Sequence, residues 1–262
     1  MTIAIPAGSL RPTRSSTVSV RGADIALDDR DRTRPFLLLH GGAGGVTMAG
    51  FASLLAERTH SRVLLPTHPG FSGTTRPDTL ATTRDLAAAY VELLDQLDLS
   101  DVTVIGNSFG GWVAAEIALQ DSPRVSGAVI VNGIGIEVEG HPMTDVSGLA
   151  PEELVKLSFH DPSKAARPPA RGGSGPSPDI LALAAYAGPA MSDPTLRERL
   201  SGLDLPVHVV WGESDGIVDA GYGKAYADSM PMSTFTLLPN AGHLPQVETP
   251  EELLGAIWDL GR

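Results

Sequence analysis

The chain contains no cysteine in its 262 residues. That absence excludes a thiol nucleophile, a disulfide framework and thiolate metal sites together. It fits a reducing cytoplasm, which is the expected location. Basic side chains are also scarce, with 19 Lys and Arg against 31 Asp and Glu, a formal charge of −12. Such a field repels a phosphate backbone or an anionic bilayer, so neither nucleic acid nor membrane is an expected partner. No stretch approaches the roughly 18 consecutive apolar residues of a membrane span. The opening, MTIAIPAGSLRPTRSS, has no basic segment followed by an apolar run, so a secretory leader is not expected.

What is present describes an ordered α/β protein. Hydrophobic residues make up 42% and charged residues 19%, which excludes global disorder. Glycines (29) and prolines (21) are numerous without reaching low-complexity levels, so many tight turns and at least one loose segment are expected. Val18–Val20 and Ile25–Leu27 flank Gly22 as an opening hairpin. Further apolar β-rich runs occupy Phe36–Leu39, Val63–Leu65, Val102–Ile105, Val125–Val131, Val207–Trp211 and Thr234–Leu238. Helical stretches fall between them, at Met48–Arg58, Arg84–Leu97, Trp112–Leu119, Ala220–Ser229 and Pro250–Leu260. Short strands alternating with helices imply a mostly parallel sheet covered on both faces.

Residues 133–200 interrupt the alternation. Pro151–Phe159 has helical character, and so does Asp179–Ala187, with Ser177 or Asp179 as its cap. Between them DPSKAARPPARGGSGP, residues 161–176, is rich in Pro, Gly and Ser. It reads as a solvated linker or as the hinge of a lid.

The chemistry concentrates in a few turns. Gly106-Asn107-Ser108-Phe109-Gly110 is G-x-S-x-G between a strand and a helix, the setting of a nucleophilic serine. A hydroxyl needs a base, and of seven histidines His243, in Asn240-Ala241-Gly242-His243 after the last strand, has the best place. His60, His141, His160 and His208 read as surface or structural residues. His40 and His68 adjoin turn signals and read as structural loop residues. The base needs a carboxylate to hold its tautomer. Asp215 follows the Val207–Trp211 strand, with Glu213 and Asp219 as nearby competitors. An oxyanion hole needs two backbone donors. Phe109, after the serine, supplies one; the glycine-rich turn His40–Gly45 supplies the other, with Gly42 preferred over Ala43.

HGGAGG at 40–45, HPGFSGT at 68–74, GNSFGG at 106–111, WGESDGIV at 211–218 and NAGHLPQVETPEEL at 240–253 together resemble the α/β-hydrolase fold family. The resemblance implies a mostly parallel eight-stranded sheet flanked by helices, formed by 1–132 and 201–262, with residues 133–200 as a helical cap. The family order Ser, Asp, His selects Ser108, Asp215 and His243. Some relatives place the acid after the preceding strand, which here reads Val131-Asn132-Gly133, with no acid. The expected activity is hydrolysis of an ester, thioester or lactone of a small to medium apolar acyl compound, by a monomer or homodimer without cofactor or metal. Trp112, Met143, Phe159, Tyr186 and Met191 are candidate walls for such a small-molecule substrate, though each would also serve as ordinary core. Asn107 before the serine also resembles the carbon–carbon bond hydrolases of aromatic meta-cleavage products. Those relatives tend to carry Trp after the catalytic His, where this chain has Leu244, and an arginine in the cap, for which Arg167, Arg171 or Arg197 could serve. A non-catalytic, hydrolase-like binding protein is the alternative from another class.

Overall fold

Strict alternation of large apolar side chains builds the centre of the molecule. In the computed structural model, which describes residues 14–30, 35–165 and 177–258, the third strand β3 (Pro35–Leu39) sends Leu37 and Leu39 to one face of a sheet and Phe36 and Leu38 to the other. Each face meets a different layer. Leu37 and Leu39 join a core with Leu86, Tyr90 and Leu93 of α2 (Thr83–Gln96) and Trp112 of α3 (Phe109–Ala118). Phe36 and Leu38 join Phe51 and Leu55 of α1 (Val46–Thr59) and Leu253 and Ile257 of α9 (Pro250–Trp258). Two-sided coverage is why these strands read as continuous apolar runs.

The sheet has eight strands in the order β1-β2-β4-β3-β5-β6-β7-β8. An antiparallel hairpin, β1 (Arg14–Val20) and β2 (Ala23–Arg30), forms one edge and pairs antiparallel with β4 (Arg62–Pro66). All other pairings are parallel: β4 with β3, then β5 (Val102–Asn107), β6 (Val125–Val131), β7 (Val207–Gly212) and β8 (Ser233–Leu238). The doubly covered α/β sheet expected from the sequence is present. No helix among the described residues is long and apolar enough to cross a membrane.

Local chemistry explains the helix ends. Thr82 and Asp85 form a reciprocal capping box on α2, at 3.2 and 2.9 Å. Ser177, rather than Asp179, caps α5 (Pro178–Ala187) by accepting from the Ile180 amide. Asp179 instead accepts from the Ser72 amide at 2.8 Å. Helix α3 starts at Phe109, directly after the serine as the strand–turn–helix setting implies and ahead of the apolar run from Trp112; Gly110 and Gly111, poor helix formers by propensity, fit its crowded first turn. Three short helical pieces had no periodic signal: a 3₁₀ turn at Pro162–Lys164, α6 (Leu196–Leu200) and α8 (Pro245–Glu248).

Residues 133–200 lie between β6 and β7 and add no strand to the sheet among the described residues. Their ends meet in a parallel bridge of Gly135 with Ser192, supported by the Asp193 amide on the Gly135 carbonyl at 2.8 Å. Between those ends, α4 (Pro151–Ser158) and α5 reach different parts of the sheet's carboxyl edge. The Leu157 carbonyl accepts from Gly216 and the Ser158 carbonyl from His243, both at 2.8 Å. Tyr186 of α5 donates its hydroxyl to the Pro69 carbonyl at 3.0 Å.

An ion-pair cluster ties α6 to α3. Arg199 grips Glu116 with both terminal nitrogens, at 2.7 and 2.6 Å, and also reaches Asp193 at 2.8 Å. Glu116 is only 3% exposed, and Arg84 approaches it no closer than 3.8 Å. Arg199→Ala leaves that carboxylate only the Trp112 Nε1 donor at 3.3 Å and the more distant Arg84, so a loss of about 3 kcal/mol in urea unfolding is expected. An unchanged unfolding midpoint would contradict this reading.

Candidate active site

The parallel strands end along one edge, and their carboxyl-terminal turns carry the candidate residues. Ser108 stands alone between the end of β5 and the start of α3, with φ 56° and ψ −119°. That conformation is strained for a residue with a side chain. The flanking glycines permit it. A Cβ at position 106 would lie 2.0 Å from the Gly110 carbonyl oxygen, and one at position 110 would lie 2.1 Å from that of Leu39. Any side chain there would lift the helix off the sheet and lower Ser108 away from its half-exposed place.

Two strands further across, β7 leads to Asp215, which is 5% exposed. Its Oδ1 accepts from the amides of Ile217 at 2.8 Å and Val218 at 3.1 Å. Its Oδ2 accepts from Asn132 Nδ2 and from His243 Nδ1, each at 2.7 Å. The carboxylate therefore fixes the imidazole with its proton on Nδ1 and its lone pair on Nε2. The competing acids lie elsewhere: Glu213 is exposed, and Asp219 caps α7 (Ala220–Asp228) and meets His141 at 2.9 Å. No hydrogen bond joins His243 to the Ser108 hydroxyl among the described residues. Catalytic hydrogen bonds in unliganded enzymes are often long and tighten only on substrate binding.

The other side of Ser108 faces the turn after β3. A Cβ at position 41 would lie 2.8 Å from Ser108 Cβ and 3.4 Å from its Oγ, so this turn presses directly on the serine. The amides of Gly42 and Phe109 take part in no hydrogen bond among the described residues, as two oxyanion donors would require. Leu183 of α5 covers Gly42, its Cδ2 lying 2.8 Å from where a Cβ would stand.

Two buried histidines hold that turn from behind. The His68 amide donates to His40 Nε2 at 3.1 Å, so His40 must carry its proton on Nδ1, which donates to the Gly41 carbonyl at 2.8 Å. His68 Nε2 donates to the His40 carbonyl at 2.9 Å, and its Nδ1 accepts from Tyr90 Oη at 2.5 Å. Both rings are neutral by geometry. Burial, only partly offset by the Gly41 carbonyl and by Asp179, pushes the His40 pKa down to about 4. Burial and the neighbouring His40 hold His68 well below its ordinary value.

The expected wall residues scatter. Trp112 is buried in α3, its ring against Gly135 and its Nε1 on Glu116 at 3.3 Å. Tyr186 packs 5.9 Å from the Phe109 ring. Both also line a surface cleft of about 410 Å³ with Thr82 and Asp193, a cleft to which Ser108, Asp215 and His243 contribute nothing. Phe159 is buried beside Gly242, while Met143 and Met191 pack against the core's margin. Two carboxamides, Asn107 and Asn132, tie the turns together, a role beyond those expected of them from the sequence. Asn107 donates to the carbonyls of His243 at 2.9 Å and Val131 at 3.1 Å and accepts from Gln246 at 2.9 Å. Asn132, besides meeting Asp215, accepts from the Gly212 amide at 3.2 Å. Their one signal is a polar residue closing an apolar strand. Among the described residues no group of three or more His, Asp or Glu could hold a metal ion.

A sequence model of the alpha/beta hydrolase family matches residues 36–256, and the chain belongs to that family. Among curated relatives, a 2-hydroxy-6-oxo-2,4-heptadienoate hydrolase of Pseudomonas putida is 32% identical over 121 residues, which are 45% of this chain and 44% of that protein. A 2-hydroxy-6-oxo-6-(2'-aminophenyl)hexa-2,4-dienoic acid hydrolase of Metapseudomonas resinovorans is 24% identical over 260 residues, spanning 91% of this chain and 88% of its own. Among solved structures, a thermophilic esterase from Thermogutta terrifontis superposes with a TM-score of 0.74 at 22% identity, covering 95% of this chain and 98% of its own. A meta-cleavage product hydrolase variant also gives 0.74, at 20% identity, over 94% and 97%.

The histidine pair predicts acid lability. Each folded-state pKa lies below the unfolded value near 6.5, so the unfolded chain takes up protons first as pH falls. Their contribution is complete above pH 6.5 and declines below it, for His40 by about 3 kcal/mol on reaching pH 4. Urea midpoints measured from pH 7.5 to 4.5 should fall, and fall less steeply in His40→Gln. A wild-type midpoint that stays level over this range would refute the account.

Proposed function

We propose that this family member is a serine hydrolase that cleaves an ester, thioester or lactone of a small to medium apolar acyl compound through an acyl-enzyme. The observation that carries the reading is the 2.7 Å contact from His243 Nδ1 to buried Asp215, made in the row of turns that also carries Ser108. With its proton held on Nδ1, His243 offers Nε2 as the base for the Ser108 hydroxyl. Ser108 Oγ attacks the carbonyl carbon, and the Phe109 and Gly42 amides receive the oxyanion. The imidazolium, facing the Asp215 carboxylate, then protonates the leaving oxygen or sulfur. The same histidine activates water to free Ser108. The insertion at 133–200 acts as the cap and sets substrate choice, with Leu183 over Gly42 as a wall.

Carbon–carbon cleavage of a vinylogous diketone acid is the second reading. Both curated relatives described above are named for such dienoate substrates. That chemistry asks for a cation to hold the substrate carboxylate. Arg197 is engaged by Ser229, just past the end of α7, at 3.2 Å, and Arg76 by the Leu80 carbonyl at 2.7 Å. Arg167 and Arg171 lie outside the described residues. Ester hydrolysis is therefore the preferred reading.

Ser108→Ala and His243→Ala should each lower the turnover of an acyl ester by about 10⁴–10⁶ without unfolding the protein. Asp215→Asn should cost on the order of 10⁴ by favouring the wrong tautomer. A folded Ser108→Ala protein within tenfold of wild type would sink the mechanism, and failure of a fluorophosphonate to label Ser108 would argue for a binding protein instead. On a substrate panel, acyl or arylalkyl esters should turn over faster than a vinylogous diketone acid; the opposite ranking would install the second reading.

A further inference from the structure

Glu248 ends α8 and is 4% exposed. Among the described residues its carboxylate is met by backbone amides rather than by a cation. Oε2 accepts from Gly242 at 2.8 Å and from His160 at 3.1 Å, and Oε1 accepts from Asp161 at 2.6 Å. The Lys164 ammonium goes instead to the Glu248 backbone carbonyl, at 2.9 Å. Gly242 immediately precedes His243, whereas His160 and Asp161 follow the end of α4. One buried carboxylate thus joins the histidine loop to the insertion.

The surrounding contacts make this joint tight. The His243 amide donates to the Ser158 carbonyl, and a Cβ at position 242 would lie 2.4 Å from that same oxygen. On the acid's side, the Gly216 amide donates to the Leu157 carbonyl. The end of α4 therefore touches the loops of both Asp215 and His243. Three convergent N–H donors suit two carboxylate oxygens. A carboxamide has one acceptor oxygen and would aim its own N–H at a donor.

We propose that Glu248 is a positioning residue: by binding the amides of Gly242, His160 and Asp161 it fixes the His243 loop against α4 and so sets where the imidazole stands. The proposal rests on the reading of His243 as the base. It makes the α4 arm of the insertion a fixed part of the site, whose movement would disturb the base itself.

The test compares wild type, Glu248→Gln, Glu248→Asp and Lys164→Ala, using p-nitrophenyl butyrate and the downfield NMR resonance of the His243 Nδ1 proton. Glu248→Gln should reduce kcat on the order of 10–100-fold, the scale of an ångström-sized misplacement. KM should stay within about threefold. Glu248→Asp should be intermediate, and Lys164→Ala should match wild type. The proton resonance should shift in Glu248→Gln and stay in place in Lys164→Ala. A folded Glu248→Gln protein with kcat within twofold of wild type and an unmoved resonance would overturn the proposal. If Glu248→Gln does not fold, Glu248→Asp decides it by the same two readouts. If wild type neither hydrolyses the ester nor takes a fluorophosphonate, the reading of the base fails separately, and the resonance alone still decides whether Glu248 places the imidazole.

Discussion

Helix α3 lies so close to the ends of β3 and β5 that hydrogen atoms must stand where side chains usually begin, and the rest of the site depends on that approach. The Leu39 carbonyl occupies the space of a Cβ on residue 110, and the Gly110 carbonyl that of a Cβ on residue 106. Lifting the helix by one methyl group would move Ser108 relative to the Gly41–Gly42 turn on one side and to the β6 and β7 turns on the other. The strain at Ser108 is sustained because strand and helix on either side are buried, so the turn has nowhere to relax.

Around that contact the protein uses neutral polar groups more than charges. Asn107 closes β5 and Asn132 follows the end of β6, and each spans to another turn: Asn107 to the His243 carbonyl beyond β8, Asn132 to Asp215 and the Gly212 amide of β7. His40 and His68 do similar work beneath the glycine-rich turn, with every ring nitrogen committed. Satisfied buried networks of this kind give a single geometry, because any slip leaves a donor or acceptor without a partner.

Much of the fold was legible because burial on both faces leaves apolar runs that stop at turns. The Val125–Val131 strand matches its expected limits, and the other strands differ by a few residues at their ends. Glycine spacing marked the elbow at Ser108, position after the last strand marked His243, and the resemblance to the family's Ser, Asp, His order selected Asp215 over Glu213 and Asp219. Other features leave no such trace. Helices of four or five residues, α6 and α8, cannot display a period. The roles of Asn132 and Glu248 depend on partners 83 and 87 residues away, which no local pattern encodes. The candidate walls were chosen by residue type inside an irregular segment, where type does not say which way a side chain turns, and Trp112 turned towards Gly135.

The Gly135–Ser192 bridge has a consequence for how such a chain can change. Because the insertion begins and ends at one point, the sheet sees a closed loop whose length adds only a slowly growing entropic cost. Whole segments between those ends are therefore exchangeable in principle without disturbing the strands, which makes the insertion a replaceable module. The α4 arm limits that freedom. A substitute must again present a carbonyl to the His243 amide and two amides to Glu248, or the exchange would shift the His243 loop along with the insertion. Modularity in this molecule is thus greater on the α5 side than on the α4 side.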